Sequence, residues 1–194
     1  MDPGRVQKEL AELRREGEKS GITLELLDDA DFRKLRGTLA GPKDTPYEGG
    51  KFVVDIELPD MYPFQPPKMR FLTKLWHPNV SSVSGAICLD ILKDQWSPAL
   101  TLRTALLSLQ VLLQVPEPND PQDAQVAKQY LQDRPMWEQT ARFWTQSFAM
   151  GKTEDDKVRG LMEMGFSDEM ARKALADAQG DEQAALESLL AGFA

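Results

Sequence analysis

The chain has one cysteine, Cys88, and one histidine, His77, among its 194 residues. A single thiol excludes an internal disulfide framework, and one cysteine with one histidine provides too few ligands for a structural zinc site. The sequence contains no run of about 18 apolar residues, and its first residues lack the apolar stretch of a secretion signal. These absences predict a soluble protein of a reducing compartment, cytoplasmic or nuclear, with no metal and no membrane span.

Basic residues are also scarce, since the formal net charge is −8 and the isoelectric point is about 4.8. This balance argues against nucleic acid or an anionic membrane as the main partner. The charge is uneven, because residues 151–194 hold five Lys or Arg and ten Asp or Glu, a net of −5. Length and charge together predict a main domain at 1–150, a short linker at 151–157 and a small domain at 158–194.

Residue periodicity in the first 71 positions predicts one helix and four strands. Asp2-Pro3 is typical of a helix start, and Val6, Leu10 and Leu13 then fall on one helical face. Apolar residues alternate with polar ones around 22–26, 35–40, 52–58 and 69–71. The intervening links, such as the one through residues 27–31, are too short for crossover helices. The fold class is therefore α+β, with an antiparallel four-stranded meander.

Helical patterns dominate after residue 100. Thr101 can cap a helix with leucines on one face, Asp120-Pro121 is a second start signal, and Pro135 opens a third helix. In that third helix the apolar stripe is predicted at Trp137, Ala141, Trp144 and Phe148, and Gly151 marks its end. Beyond residue 151, three short helical patterns predict a three-helix miniature.

The segment Trp76–Ile91 holds the residues best suited to covalent chemistry. Cys88 is a candidate nucleophile, and Asn79 lies nine positions before it on a turn that contains Pro78. An asparagine amide on a rigid turn is suited to donate a hydrogen bond to a developing oxyanion, and it is equally suited to brace a loop by bonding backbone groups. His77 has the chemistry of a general base, although a lone histidine in a turn more often has a structural role.

Three stretches resemble the ubiquitin-conjugating enzymes closely, and the similarity spans about residues 4–150. They are His77-Pro78-Asn79 followed by Gly85-x-Ile87-Cys88-Leu89-Asp90, then Tyr62-Pro63-Phe64-x-Pro66-Pro67, and Gln95-Trp96-Ser97-Pro98-Ala99-Leu100-Thr101. The resemblance implies that Cys88 carries ubiquitin as a thioester and transfers it to lysine amines. It also implies that His77 is structural and that Asp120 orients the incoming lysine or accepts its proton.

The same resemblance implies two protein-binding regions. Arg5 and Lys8 match positions on the first helix that dock the activating enzyme, which consumes ATP upstream so that this chain needs no cofactor. The second region matches the platform that ligases bind, and it comprises Pro63, Phe64, Ser97, Pro98 and Ala99. Inward packing of Phe64 is the competing interpretation.

The acidic C-terminal region is similar to a ubiquitin-associated domain, on the strength of Met164-Gly165-Phe166 between its first two helices. The resemblance implies that Met164, Gly165, Phe166, Leu189 and Leu190 form a surface for ubiquitin. Burial of Met164 and Phe166 in a small core is the alternative. The expected partners are thus ubiquitin, its activating enzyme, ligases and protein substrates.

Four alternatives remain at the level of sequence. The first is a cysteine hydrolase that uses Cys88 with His77. The second is a conjugating enzyme whose cargo is a ubiquitin-like protein, and the third is an inert adaptor that binds ubiquitin without transferring it. Asp120 before Pro121 also has an ordinary structural role as a helix N-cap. Asn119 departs from the pattern of many relatives, which have a second acidic residue there, and this puts the reaction rate or lysine preference in doubt.

Overall fold

The computed structural model describes residues 1–28, 31–151 and 153–191, and for residues 16–19 it describes the backbone only. The chain divides into two compact units, residues 1–150 and 151–194. Three parts of the sequence predictions lie outside the described residues: Asp29 and Ala30 of the first link, Lys152 of the linker, and residues 192–194 of the second domain.

The first unit begins with α1, Pro3–Ser20. The Asp2 carboxylate caps it by accepting from the backbone N–H of Gly4 at 3.0 Å and of Arg5 at 3.3 Å. Val6, Leu10 and Leu13 are buried along one face, as their spacing predicts. The start signal and the apolar stripe therefore both identify this helix correctly.

Four antiparallel strands follow in the order β1-β2-β3-β4, which confirms the predicted meander. Their bounds are Ile22–Leu26, Lys34–Ala40, Lys51–Glu57 and Lys68–Phe71. Leu24, Gly37, Val54 and Phe71 lie opposite one another across the sheet. A Cβ at Gly37 would lie 2.9 Å from the Leu106 side chain, so glycine lets the next helix approach the middle of the sheet.

That next helix is α2, Leu102–Gln114, and its cap is the predicted Thr101, whose side chain accepts from Thr104 N at 3.1 Å. Two further helices of the first unit are α3 at Ala124–Gln132 and α4 at Arg134–Trp144. The predicted cap of α3 was wrong. Asp123, not Asp120, caps this helix, because the N–H groups of Gln122 and Asp123 bond to the Pro78 carbonyl at 2.9 and 3.0 Å and delay the helix start.

The predicted apolar stripe of α4 is also partly wrong. Trp137 and Ala141 are buried, but the chain then forms a π-helical turn, Thr145–Ala149, in which Met150 N bonds to Thr145 O at 2.9 Å. The wider turn shifts the buried positions to Thr145 and Ala149. Phe148 is consequently 46% exposed instead of lying in the core.

The described residues of the second unit, 151 and 153–191, form three helices, as predicted. They are α5 at Glu154–Glu163, α6 at Asp168–Asp177 and α7 at Glu182–Ala191. The linker prediction of 151–157 was too long, because Thr153 and Asp156 form a reciprocal capping box that starts α5 four residues earlier than residue 158. The small core of the second unit is made of Val158, Leu161, Ala171, Ala174, Leu175, Ala185 and Leu189.

Glu9 on α1 joins three segments of the first unit. Its side chain is only 3% exposed, and its carboxylate accepts from the Tyr62 hydroxyl at 2.9 Å and from Leu102 N at 2.7 Å. Arg5 also donates to Glu9, and its other nitrogen donates to the carbonyls of Pro98 at 3.2 Å and Leu100 at 2.9 Å. Helix α1, the loop after β3 and the start of α2 are thus held by one buried carboxylate.

We expect Glu9→Ala to lower the free energy of unfolding of the first unit by about 3 kcal/mol, because it leaves several donors and the Arg5 charge without their acceptor. Urea unfolding followed by tryptophan fluorescence measures this unit alone, since Trp76, Trp96, Trp137 and Trp144 all lie in it. Glu12→Ala, on the same helix, is the matched control and should change the value by less than about 0.5 kcal/mol. Equal losses in the two variants would contradict the assigned role of Glu9.

Candidate active site

The segment that carries Cys88 folds back against the end of the sheet. Phe71 N donates to Gly85 O at 2.9 Å, and Cys88 N donates to Asn79 O at 2.9 Å. Gly85 has a φ of +75°, and a Cβ there would lie 1.9 Å from the Phe71 carbonyl oxygen. Only glycine fits this approach. Cys88, three residues further on, is half-buried.

The side chain of Asn79 is fully engaged by the loop at residues 117–120. Its Nδ2 donates to the carbonyls of Glu117 at 2.8 Å and Asp120 at 2.9 Å, while its Oδ1 accepts from Glu117 N at 2.8 Å. Both amide hydrogens are therefore used within the protein. Of the two roles that the sequence left open for Asn79, this geometry matches the bracing of the active-site loop and leaves no donor for an oxyanion.

His77 is completely buried, and both of its ring nitrogens are occupied. Nε2 lies 2.9 Å from the Leu112 carbonyl, so it carries the hydrogen, and Nδ1 accepts from Asn79 N at 3.0 Å. Burial lowers the pKa of His77 to about 4. The neutral ring thus links α2 to the Cys88 segment by two hydrogen bonds. His77 is therefore not available as the general base that the hydrolase alternative needs.

Two charged side chains flank the Cys88 thiol. Sγ donates to the Asp120 carboxylate at 3.4 Å, and Lys93 Nζ lies 3.5 Å from Sγ. Asp120 is exposed and is not used as a helix cap, so its carboxylate remains available beside the sulfur. The structure therefore brings together Cys88, Asn79 and Asp120, the three predicted catalytic residues, and adds Lys93, which the sequence analysis missed.

A groove of about 580 Å³ opens beside Cys88. One wall is polar and includes Asp90, Glu117 and Asp120. The other wall is apolar and includes Val111 on α2 and Val115 just after the helix, both of which are exposed. Such a groove can hold an extended peptide whose end reaches the sulfur, with its apolar atoms against α2.

The two predicted platform loops lie side by side. Trp96 Nε1 donates to the Pro63 carbonyl at 2.8 Å, and Phe64 is 72% exposed, which rules out inward packing. Ser97, Pro98 and Ala99 are exposed next to Trp96, and Lys8 is exposed on α1. Arg5 differs from its prediction, because its guanidinium is directed to Glu9, Pro98 and Leu100 within the protein.

In the second unit the predicted ubiquitin surface is partly exposed. Met164 is 59% exposed, Gly165 has a φ of +101°, and Phe166 packs partly against the small core. Leu190 is 56% exposed, but Leu189 is only 8% exposed because α7 buries that face against α5 and α6. Leu189 is thus a core residue, and its assignment to the ubiquitin surface was wrong. The alternative interpretation, in which Met164 is buried, was also wrong.

Neither a metal centre nor a membrane-spanning helix is present among the described residues. No group of three or more His, Cys, Asp or Glu side chains among them is arranged to hold a metal ion. Within 1–28, 31–151 and 153–191, the helices are all too short or too polar to cross a membrane.

Comparisons with known proteins agree with this geometry. A sequence model described as "Ubiquitin-conjugating enzyme" matches residues 5–145, and one described as "UBA/TS-N domain" matches residues 154–189. Ubiquitin-conjugating enzyme E2 27 of Arabidopsis thaliana is 56% identical over 97% of this chain and 98% of its own length. Ubiquitin-conjugating enzyme E2 K of Homo sapiens is 50% identical over 96% of each chain. The solved E2 domain of a Toxoplasma gondii ubiquitin-conjugating enzyme is 53% identical and covers 75% of this chain and 97% of its own, with a TM-score of 0.71.

The buried neutral state of His77 predicts a pH-dependent stability of the first unit. In the unfolded chain the pKa of a histidine is about 6.5, whereas in the fold burial holds that of His77 at about 4. The unfolded state therefore binds the proton first, and stability falls as the pH drops from about 6.5 to 4, by about 3 kcal/mol at 1.36 kcal/mol per pH unit.

Urea unfolding of the wild type and of His77→Gln at several pH values measures this contribution. Carboxylates titrate in both proteins, so the difference between the two curves isolates the histidine. We expect the wild type to lose more stability than the variant as the pH falls. Parallel curves would contradict a buried neutral imidazole.

Proposed function

Because the chain belongs to the ubiquitin-conjugating enzyme family and carries a ubiquitin-associated domain, we propose that Cys88 is the residue that holds ubiquitin as a thioester. The observation that carries this assignment is the position of the Cys88 sulfur, which lines the groove 3.4 Å from the Asp120 carboxylate. Cys88 is also the only thiol of the chain.

The first step is thioester exchange. The Cys88 thiolate attacks the carbonyl carbon of the ubiquitin C-terminus on the activating enzyme, and the thiolate of that enzyme leaves. No new energy is needed here, because a thioester replaces a thioester. ATP is consumed earlier by the activating enzyme, and our proposal assigns no cofactor to this chain.

The second step is attack by a lysine amine on the Cys88 thioester. A lysine with a pKa near 10.4 is mostly protonated at neutral pH, so it must lose a proton before it can attack. The Asp120 carboxylate is placed to attract the ammonium group and accept that proton. The C–S bond then breaks as the isopeptide bond forms, and the second proton of the attacking nitrogen passes to the released thiolate of Cys88. The proton held by Asp120 is finally given up to solvent.

Asn79 contributes to this step by holding Asp120. Its amide bonds both ends of the 117–120 turn, so removing it would free the carboxylate from its place beside the sulfur. In this proposal the residue is a positioning group.

The family and the second domain imply contact with ubiquitin, an activating enzyme and ligases in general. In finer detail, we assign ligase binding to the surface of Pro63, Phe64, Ser97, Pro98 and Ala99, and activating-enzyme binding to Lys8. Arg5 supports both by holding α1 against the carbonyls of Pro98 and Leu100. Substrate lysines include those of proteins and of ubiquitin itself, which would build chains in the cytoplasm or nucleus.

The thioester assignment predicts the behaviour of Cys88→Ser. Incubated with activating enzyme, ATP and ubiquitin, the wild type should form an adduct that a thiol reductant removes. The serine variant should form an oxygen ester that resists the reductant, because an ester is less reactive than a thioester. Non-reducing gels with and without reductant measure both, and Asp133→Asn, which changes only the cap of α4, provides a folded thiol-containing reference.

Failure of the wild type to charge, under conditions where another conjugating enzyme charges, would refute ubiquitin as the cargo. A related ubiquitin-like protein would then be the next cargo to test. Charging that persists unchanged in Cys88→Ala would refute the role of the thiol.

We further propose that Met164, Phe166 and Leu190 bind ubiquitin. Met164→Ala should weaken ubiquitin binding about tenfold or more, since it removes an exposed apolar side chain from the contact. Met162→Ala is the matched control, because Met162 is exposed on α5 outside the loop. Titration of ubiquitin by NMR or calorimetry measures both affinities, and thioester formation should be the same in both variants. Equal affinities would argue against the loop as the contact.

A further inference from the structure

The loop that carries Asp120 is attached to the Cys88 segment at three places. The Asn79 side chain holds Glu117 and the Asp120 carbonyl, and the Pro78 carbonyl accepts from the N–H groups of Gln122 and Asp123. The third attachment is a side chain that neither the sequence analysis nor the proposed mechanism uses. It is the carboxylate of Asp123.

Asp123 uses its two oxygens for different elements. Oδ1 accepts from Val126 N at 3.2 Å and caps α3. Oδ2 accepts from Ser82 N at 3.0 Å and from the Ser82 hydroxyl at 2.7 Å, across a separation of 41 residues. The bonds of Oδ2 have no role in capping. They connect the start of α3 to the turn that contains Ser82, between Asn79 and Cys88.

We propose that Asp123 is a positioning residue for lysine transfer, which clamps the Asp120 loop to the Cys88 segment through Ser82. The inference rests on the proposed role of Asp120 as the group that receives the lysine. The two aspartates are three positions apart in the chain, so a clamp at Asp123 limits how far the Asp120 carboxylate can move from the sulfur. Without it, the backbone bonds to Pro78 remain as the attachment of the far end of the loop to the Cys88 segment.

The electrostatics of Asp123 agree with a clamp that operates at neutral pH. Burial by itself would raise the pKa of this carboxyl group, but the hydrogen bonds from Ser82 and from the first turn of α3 outweigh burial and lower it. The group is therefore ionised while the enzyme works, and its bonds to Ser82 are charge-assisted.

Asp123→Asn separates the two functions of this side chain. Asparagine caps a helix as well as aspartate does, so its oxygen can keep the bond to Val126 N. Its NH₂ group then faces the Ser82 N–H. Both groups are donors, so the hydrogen bond from Ser82 N to the side chain at position 123 is lost. Asp133→Asn is the matched control, because Asp133 caps α4 in the same way, through Met136 N at 3.1 Å, and has no such contact with Ser82.

The experiment measures single-turnover discharge of full-length protein already charged with ubiquitin, with free lysine or with hydroxylamine as the acceptor. Hydroxylamine is already neutral at neutral pH, so its attack does not depend on Asp120. We expect Asp123→Asn to slow discharge to lysine about tenfold, as expected for a displaced catalytic group, with hydroxylamine discharge within twofold of the wild type. Ser82→Ala should show a smaller loss to lysine, and Asp133→Asn none.

Two results would overturn the clamp. One is a lysine rate for Asp123→Asn equal to that of the wild type, and the other is an equal loss with both acceptors, which would indicate general damage to the groove. Asp120→Ala separates this inference from the proposed function. If Asp120→Ala discharges to lysine at the wild-type rate, the role of Asp120 fails and the clamp fails with it. If Asp120→Ala is slow and Asp123→Asn is not, only the clamp fails.

Discussion

The side-chain amide of Asn79 is the interaction on which the candidate active site depends. It makes three hydrogen bonds to the turn at 117–120, while its own backbone carbonyl receives the N–H of Cys88 and its own N–H is held by His77. The carrier thiol and the acidic loop are thus attached to the same residue. Each of these bonds is buried or partly buried, so leaving one unmade would cost about 1–3 kcal/mol.

Helix α2 connects this active-site network with the one at Glu9. The N–H of Leu102, its first residue, is held by the Glu9 carboxylate, and the carbonyl of Leu112, near its end, is held by His77. The two points are about 15 Å apart at 1.5 Å per residue. One rigid helix therefore fixes the spacing between the loops proposed to meet protein partners and the loop that carries Cys88. Gly37 keeps that helix close to the sheet along the way.

The parts of the fold that follow from local pattern were predictable from sequence. Alternation of apolar residues found the four strands, and helical spacing with caps found α1 and α2. The error at the start of α3 arose where a distant residue decides the outcome. Asp120-Pro121 has the local chemistry of a helix start, but the Pro78 carbonyl, more than 40 positions earlier, holds Gln122 and Asp123 and moves the cap. The exposure of the Asp120 carboxylate beside the sulfur therefore depends on tertiary contact, and so do the bonds from Asp123 to Ser82.

The surroundings of Cys88 also explain why this thiol suits transfer to amines better than hydrolysis. A cysteine hydrolase uses an imidazole to take a proton from the nucleophile and later to activate water. Here both nitrogens of the only histidine are occupied in the interior, and the residues in contact with the sulfur are a carboxylate and an ammonium group. A carboxylate is a weak base toward neutral water, but it attracts a protonated lysine by charge and receives its proton as the amine attacks. In the proposed mechanism this arrangement therefore favours an amine over water as the acceptor.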